Sequence, residues 1–209
     1  VSVGWVPGMP ELELAAIDPV RGPIFYTLTQ TDRKPQVEPR FQRDESCLQC
    51  HVSVHHTRNV PGWLARSLRE IPGQSGFLTL DHTVRVADRW GQWYVTGGAS
   101  KQTHWGNLVS PADWKRHEVE PEFGGMKDDL RELIEAAKYP VASSDVVAHL
   151  VFQHQTGMQN WITRVGYEAR FGRGTNSEEA LLRYLLFVDE APLSARVRGL
   201  SGYDKWFQQ

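Results

Sequence analysis

Short apolar alternations fill the first half of the chain, and longer helical periods fill the second. Trp5, Leu12, Leu14 and Ile17 stand among Pro and Gly, and Ile24-Phe25-Tyr26-Thr27-Leu28 is an unbroken run of strand formers, so residues 1–31 read as strands joined by turns. Residues 32–43 are polar, carry Pro35 and Pro39, and read as a loop. A short helix is expected over 44–51, and one or two helical turns from Trp63 to Ile71 after Pro61-Gly62. Residues 76–98 alternate again, through Phe77-Leu78-Thr79-Leu80, Val84-Arg85-Val86 and Trp93-Tyr94-Val95-Thr96, until Gly97-Gly98.

Helical signals then take over. Ser110 is placed to cap a short helix that Pro111 opens and that runs to Arg116. An amphipathic helix is predicted over Lys127–Lys138, stopped by Pro140. Ser143-Ser144-Asp145 can cap a long helix over about 145–170, whose apolar stripe runs through Val147, Leu150, Val151, Trp161, Ile162 and Val165. His154 and Met158 fall in the same stripe. A last helix is predicted from Ser177 to Val188, with Glu178 and Glu179 near its start. The pattern is α+β: a β-rich half over 1–100 bearing the short helix at 44–51, then a helical half over 110–190, read as a single domain spanning 1–209.

Composition narrows the function classes. The net charge is −2 over 209 residues, so no basic field is available to hold nucleic acid or an anionic membrane. The nearly apolar stretch Val146–Phe152 is interrupted by His149 and is far too short to span a bilayer. Two cysteines cannot staple a miniprotein. The chain opens Val1-Ser2-Val3-Gly4-Trp5 with no initiator Met and no leader pattern, and so reads as processed or trimmed at its start.

Both cysteines fall in one pentapeptide, Cys47-Leu48-Gln49-Cys50-His51, the spacing of c-type haem attachment. Two thiols on one helical turn can each add to a vinyl group of one porphyrin, and the next residue carries an imidazole to the iron. Asp44 and Glu45 sit where they can cap that turn. One covalent haem c is therefore expected, on Cys47, Cys50 and His51. Two rivals use the same residues: a zinc site of Cys47 and Cys50 with two of His51, His55 and His56, and a thioredoxin-like redox pair. Thioether formation needs reduced thiols and haem outside the cytoplasm, which predicts a periplasmic or other extracytoplasmic location.

The second axial face of such an iron decides between relay and catalyst. His154 is the expected second metal ligand, with Met158 and His104 as alternatives. His104 lies in the Gly-rich stretch Gly97–Gly106; Met126 and Met9 are weaker candidates, and His82 and His117 read as surface residues. Arg164, and less strongly Arg89, Arg58 and Arg40, could pair with haem propionates, although each is more often a solvated charge. Trp90, Trp93 and Trp105 could wall a porphyrin or pack on one another.

Four segments carry a family resemblance: Pro39-Arg40-Phe41 before the Cys-x-x-Cys-His motif, Arg89-Trp90-Gly91-Gln92-Trp93-Tyr94-Val95-Thr96-Gly97, His104-Trp105-Gly106-Asn107, and His154-Gln155-Thr156-Gly157-Met158-Gln159-Asn160. With these the chain resembles bacterial cytochrome c domain proteins of largely uncharacterised role, from Val3-Gly4-Trp5 to about Arg170. The relatives often have Met after the His of the His-x-Gly-Asn motif, where this chain has Trp105. They also continue upstream of the Val-Gly-Trp segment. The resemblance implies haem c and a role for His154, and no particular reaction.

The expected function is one-electron transfer by a monohaem cytochrome, leaning away from catalysis. Its partners would be redox proteins, other cytochromes or a membrane redox complex of a respiratory or photosynthetic assembly. A peroxidase-like enzyme with an open distal site is the alternative, with His154 or His104 as acid–base group and Arg164 near the departing oxygen. A zinc-clipped structural domain is the third reading.

Overall fold

A computed structural model describes residues 1–29, 38–69, 76–172 and 177–209. The fold is α+β, with its strands in the first half of the chain and its long helices in the second. It divides into two compact units, each built from two chain segments: Val1–Leu64 with Thr156–Leu185, and Ala65–Gln155 with Leu186–Gln209.

The first unit holds an antiparallel sheet of β1 (Ser2–Gly4), β2 (Glu11–Asp18), β3 (Gly22–Thr29) and β4 (Phe41–Arg43), in that order. The β2–β3 hairpin is turned by Asp18, whose Oδ1 accepts from the N–H groups of Val20 and Arg21 at 2.8 Å each. Gly22 follows at φ +78, and a Cβ there would lie 2.5 Å from Thr163 Cγ2. Strand β4 corrects the predicted loop over 32–43. An edge strand leaves a row of unpaired backbone groups, and Phe41, Gln42 and Arg43 pair with Leu28, Thr27 and Tyr26 of β3. The part of that loop at 32–37 lies outside the described residues.

The second unit carries a hairpin of β5 (Arg66–Arg69) and β6 (Gly76–Thr79) and a core of Ala65, Leu80, Val86, Trp90, Val95 and Val146. Strand β5 replaces the helical turns predicted from Trp63 onward; Ile71 lies outside the described residues. Arg66-Ser67-Leu68-Arg69 pairs instead with Thr79 through Gly76. Three further predictions fail here. Val84-Arg85-Val86 is no strand and runs into a 3-10 turn at Val86–Asp88. Trp93-Tyr94-Val95-Thr96 is no strand, because Thr96 spends its backbone on isolated bridges to Lys127 and Asp145. No helix forms over Lys127–Lys138 beyond a 3-10 turn at Ala136–Lys138. The Lys127 carbonyl is held by Gly97 N–H and the Leu130 N–H by Ala142 O, which leaves only isolated turns inside the segment, such as Leu133 and Ile134 N–H on Leu130 O.

The short helix α1 (Leu48–His51) follows a 3-10 turn at Glu45–Cys47, and α2 (Pro111–Val119) is capped by Ser110 as expected. The long helix α3 (Val146–Phe171) starts in the second unit and ends in the first. Its fully buried side chains are not the predicted apolar stripe. They are Val146, Gln153, Thr156, Asn160, Thr163 and Glu168, whereas Ile162 is half exposed. Helix α4 (Ser177–Leu185) ends three residues before Val188, and α5 (Tyr203–Phe207) lies near the C-terminus. Among the described residues no helix is long and apolar enough to cross a membrane.

Candidate functional site

Strand β4 delivers the chain directly to the Cys-x-x-Cys-His turn. Asp44 donates its N–H to Phe25 O at 3.1 Å, which ties the turn to β3. The Asp44 carboxylate accepts from Ser46 N–H at 2.8 Å and from its hydroxyl at 2.6 Å, and these bonds hold its pKa below the usual value. The cap expected from Asp44 is therefore formed. Cys47 and Cys50 are free thiols on consecutive turns, the first half-buried and the second exposed. Burial pushes the Cys47 thiol up, with the Asp44 and Glu13 carboxylates adding to it, so this cysteine is held as the thiol.

His51 ends α1, and its ring is fixed on two sides. Phe25 packs on it with ring centres 4.3 Å apart. Its Nδ1 lies 2.8 Å from Gly62 O. A carbonyl only accepts, so the ring proton sits on Nδ1 and Nε2 keeps the lone pair. Gly62 returns the bond with its own N–H to His51 O at 2.9 Å. The loop between them is compact: Thr57 Oγ1 accepts from Ser53 N–H at 2.8 Å, and Arg58 and Asn59 both adopt left-handed backbone.

Helix α3 pins that loop from the far end of the sequence. Asn160 accepts from Trp63 N–H at 2.7 Å and donates to Trp63 O at 2.9 Å. Arg58 lies 3.6 Å over the ring of Trp161, and Arg164 Nη1 donates to Arg58 O at 2.6 Å. Arg164 also pairs with the buried Glu168. The guanidinium expected to take a propionate is thus bonded to the protein itself, beside a cavity of about 390 Å³ that it lines with Asn59, Tyr167 and Phe171.

These residues fit a covalent haem. Both thiols are unpaired and on consecutive turns, and the following imidazole presents Nε2 because Nδ1 is taken. Phe41 and Val54, either side of the motif, are 67% and 64% exposed, apolar surface that a porphyrin could cover. A zinc clip has less to work with: among the described residues no three His, Cys, Asp or Glu side chains converge as a metal ligand set.

Of the axial candidates, Met158 belongs to the same unit as His51 and is half-buried. His154 and His104 belong to the second unit. His154 stacks on Phe187 with ring centres 4.5 Å apart, and its Nδ1 lies 3.9 Å from Glu190 Oε2. Both line a largely apolar cavity of about 420 Å³ with Leu150, Val151 and Phe207. Burial lowers the His154 pKa, with Glu190 working against it. His104 is fully buried, edge-on to Trp90, and burial pushes it down to about 4.

Other predicted residues move. Arg89 is no solvated charge: it is 3% exposed and donates to Val84 O at 2.8 Å. His82 and His117 are half-buried rather than on the surface, their ring nitrogens against Val188 O and Phe123 O. Trp90 and Trp93 pack on His104 and His149, and Trp105 on Trp114. Met126 packs against the second unit's core, and Met9 is exposed. Sequence reasoning gives no site role to Gly62, Thr57 or Asn160. Asn160 closes the resemblance segment that begins at His154, and polar Gln153, Thr156, Asn160 and Thr163 recur at alternating spacings of three and four on one helix face, but neither signal points to Trp63. Compared with protein-family models, curated proteins and solved structures, the chain matches none.

Proposed function

We propose that this chain is a monohaem c-type cytochrome that passes single electrons, with Cys47 and Cys50 carrying the porphyrin as thioethers and His51 as the proximal ligand. The supporting observation is the state of that turn: two free thiols, the only cysteines of the chain, beside an imidazole whose Nδ1 is bonded to Gly62 O. The haem would supply a one-electron couple. The chain's own part is orientation: Phe25 and Gly62 hold the ring of His51, and Asp44 holds the turn that carries both sulfurs. A redox-dithiol reading is less well supported, because reactive cysteines of that kind have lowered pKa values and Cys47 is shifted upward. The chemistry of thioether formation places the protein outside the cytoplasm, and its partners are redox proteins or a membrane redox complex.

Mass spectrometry of native protein is expected to show the polypeptide plus one haem, with a haem c pyridine haemochrome spectrum. Bare polypeptide mass would overturn the proposal. A relay with two protein ligands resists carbon monoxide when reduced and cyanide when oxidised; ready binding of either would move the reading to a haem enzyme. The same spectra assign the second axial ligand. High-spin iron in His154→Ala identifies His154, and an unchanged spectrum directs the test to His104 and Met158.

A further inference from the structure

We infer that Asn160 is a positioning residue for His51, acting through the single peptide unit that joins Gly62 to Trp63; the inference rests on the haem c reading. That peptide has two polar groups, and both are taken. Its carbonyl, Gly62 O, accepts from His51 Nδ1 at 2.8 Å. Its N–H, on Trp63, donates to Asn160 Oδ1 at 2.7 Å. A peptide is planar, so rotating it breaks both bonds together. The second bond from Asn160, Nδ2 to Trp63 O at 2.9 Å, fixes the next peptide and removes the freedom to rotate. Asn160 is 6% exposed, and the fully buried Thr57 closes the other side. A Cβ on Gly62 would lie 2.7 Å from Asn160 Oδ1 and 2.8 Å from Thr57 Cγ2, so the amide is seated against a position that only glycine fits.

The relay has an electronic consequence as well as a geometric one. An acceptor on the N–H of a peptide polarises it and puts more negative charge on its oxygen. Gly62 O then draws harder on the Nδ1 proton of His51, and Nε2 becomes the more basic ligand atom. A more basic proximal nitrogen favours the ferric state. Asn160 is therefore assigned to lower the reduction potential of the site while holding the ring in place.

Three variants of the intact protein test this. Asn160→Leu removes acceptor and donor at similar size. With haem still attached, its midpoint is expected to rise, by about tenfold in ferrous over ferric preference, or 59 mV for one electron. Asn160→Asp keeps an acceptor for Trp63 N–H and loses only the donor, so its midpoint is expected at or below wild type even where stability falls. A wild-type midpoint in folded Asn160→Leu, or a rise in Asn160→Asp, overturns the assignment. Ser67→Ala, at a buried polar residue of the other unit, is expected to leave the midpoint unchanged; a shift of the size seen in Asn160→Leu would also overturn it. Should the wild-type protein carry no haem, the haem reading fails separately. The ring then answers for itself: nitrogen NMR of the apoprotein is expected to show His51 protonated on Nδ1 in wild type and as mixed tautomers in Asn160→Leu. Identical tautomers in both would reject the positioning role.

Discussion

A buried asparagine can imitate one residue of a neighbouring strand, offering a donor and an acceptor to a single backbone position. Two asparagines among the described residues do this. Asn160 brackets Trp63, and Asn107 brackets Val95, accepting from its N–H and donating to its carbonyl at 2.8 Å each. Both sit against a glycine: a Cβ on Gly62 would meet Asn160 and Thr57, and one on Gly106 would lie 2.6 Å from Val95 Cγ2. Gly62→Ala is accordingly expected to destabilise the fold by about 1–3 kcal/mol, because Thr57 is fully buried and cannot yield. Urea unfolding measures it, with Gly76→Ala as reference, since among the described residues nothing lies within 4 Å of a Cβ at that site. Equal midpoints for the two variants would refute the close approach. The Cys47–His51 motif is legible in the sequence because it is local, five consecutive residues. Asn160 is not, since its partner lies 97 residues away and an amide in a helix carries no local mark of that.

At the scale of elements, caps and turns read well and buried faces read badly. Asp145 caps α3 within one residue of the expected start, because an Asx cap is a property of adjacent residues. The apolar stripe is only partly the packed face: Val147 and Leu150 pack against the second unit's core, but the most buried side chains of the helix are mainly polar. Helix α3 meets loops through Gln153, Thr156, Asn160 and Thr163, whose polar groups can satisfy loop backbone, while Ile162 faces outward. The segment at 127–138 forms turns rather than a helix for a related reason: its periodicity is real, but Lys127 O and Leu130 N–H are committed to Gly97 and Ala142. Asp145 also reaches beyond its own helix. One oxygen accepts from Val147 and Ala148, and the other from the N–H groups of Leu200 and Ser201 and the Ser201 hydroxyl. Burial alone would raise its pKa, but these bonds outweigh burial and lower it. Asp145→Ala is expected to cost about 2 kcal/mol or more, as a lost cap with buried donors left over. Asp145→Asn, which keeps one acceptor oxygen, should recover part of the loss in thermal unfolding. Equal stability of the two variants would mean that the oxygen kept by asparagine contributes nothing.

For the whole molecule, the balance of charge says little and the buried histidines say more. The α+β class followed from where strand and helix patterns lie, but the division into two units, each closed by a distant segment, has no signature in local pattern. His104 and His149 both lie in the second unit and both have lowered pKa values. For His104 the chief cause is burial, with His117 and His149 adding repulsion and the Gly106 backbone opposing; the result is about 4 against 6.5 for a free imidazole. Between those values the unfolded chain binds a proton that the folded chain refuses. The stability that comes from keeping this ring neutral is therefore complete above pH 6.5 and is lost as pH falls towards 4, by about 3 kcal/mol in all for His104. His149 acts in the same direction. Urea midpoints measured from pH 7.5 to 4.5 should fall steadily in the wild-type protein. His104→Leu cannot titrate, so whatever it costs at neutral pH, its midpoint should fall less steeply across the same range. Parallel slopes for the two proteins would mean that His104 takes up its proton without leaving its place against Trp90, and that the acid sensitivity of the molecule arises elsewhere.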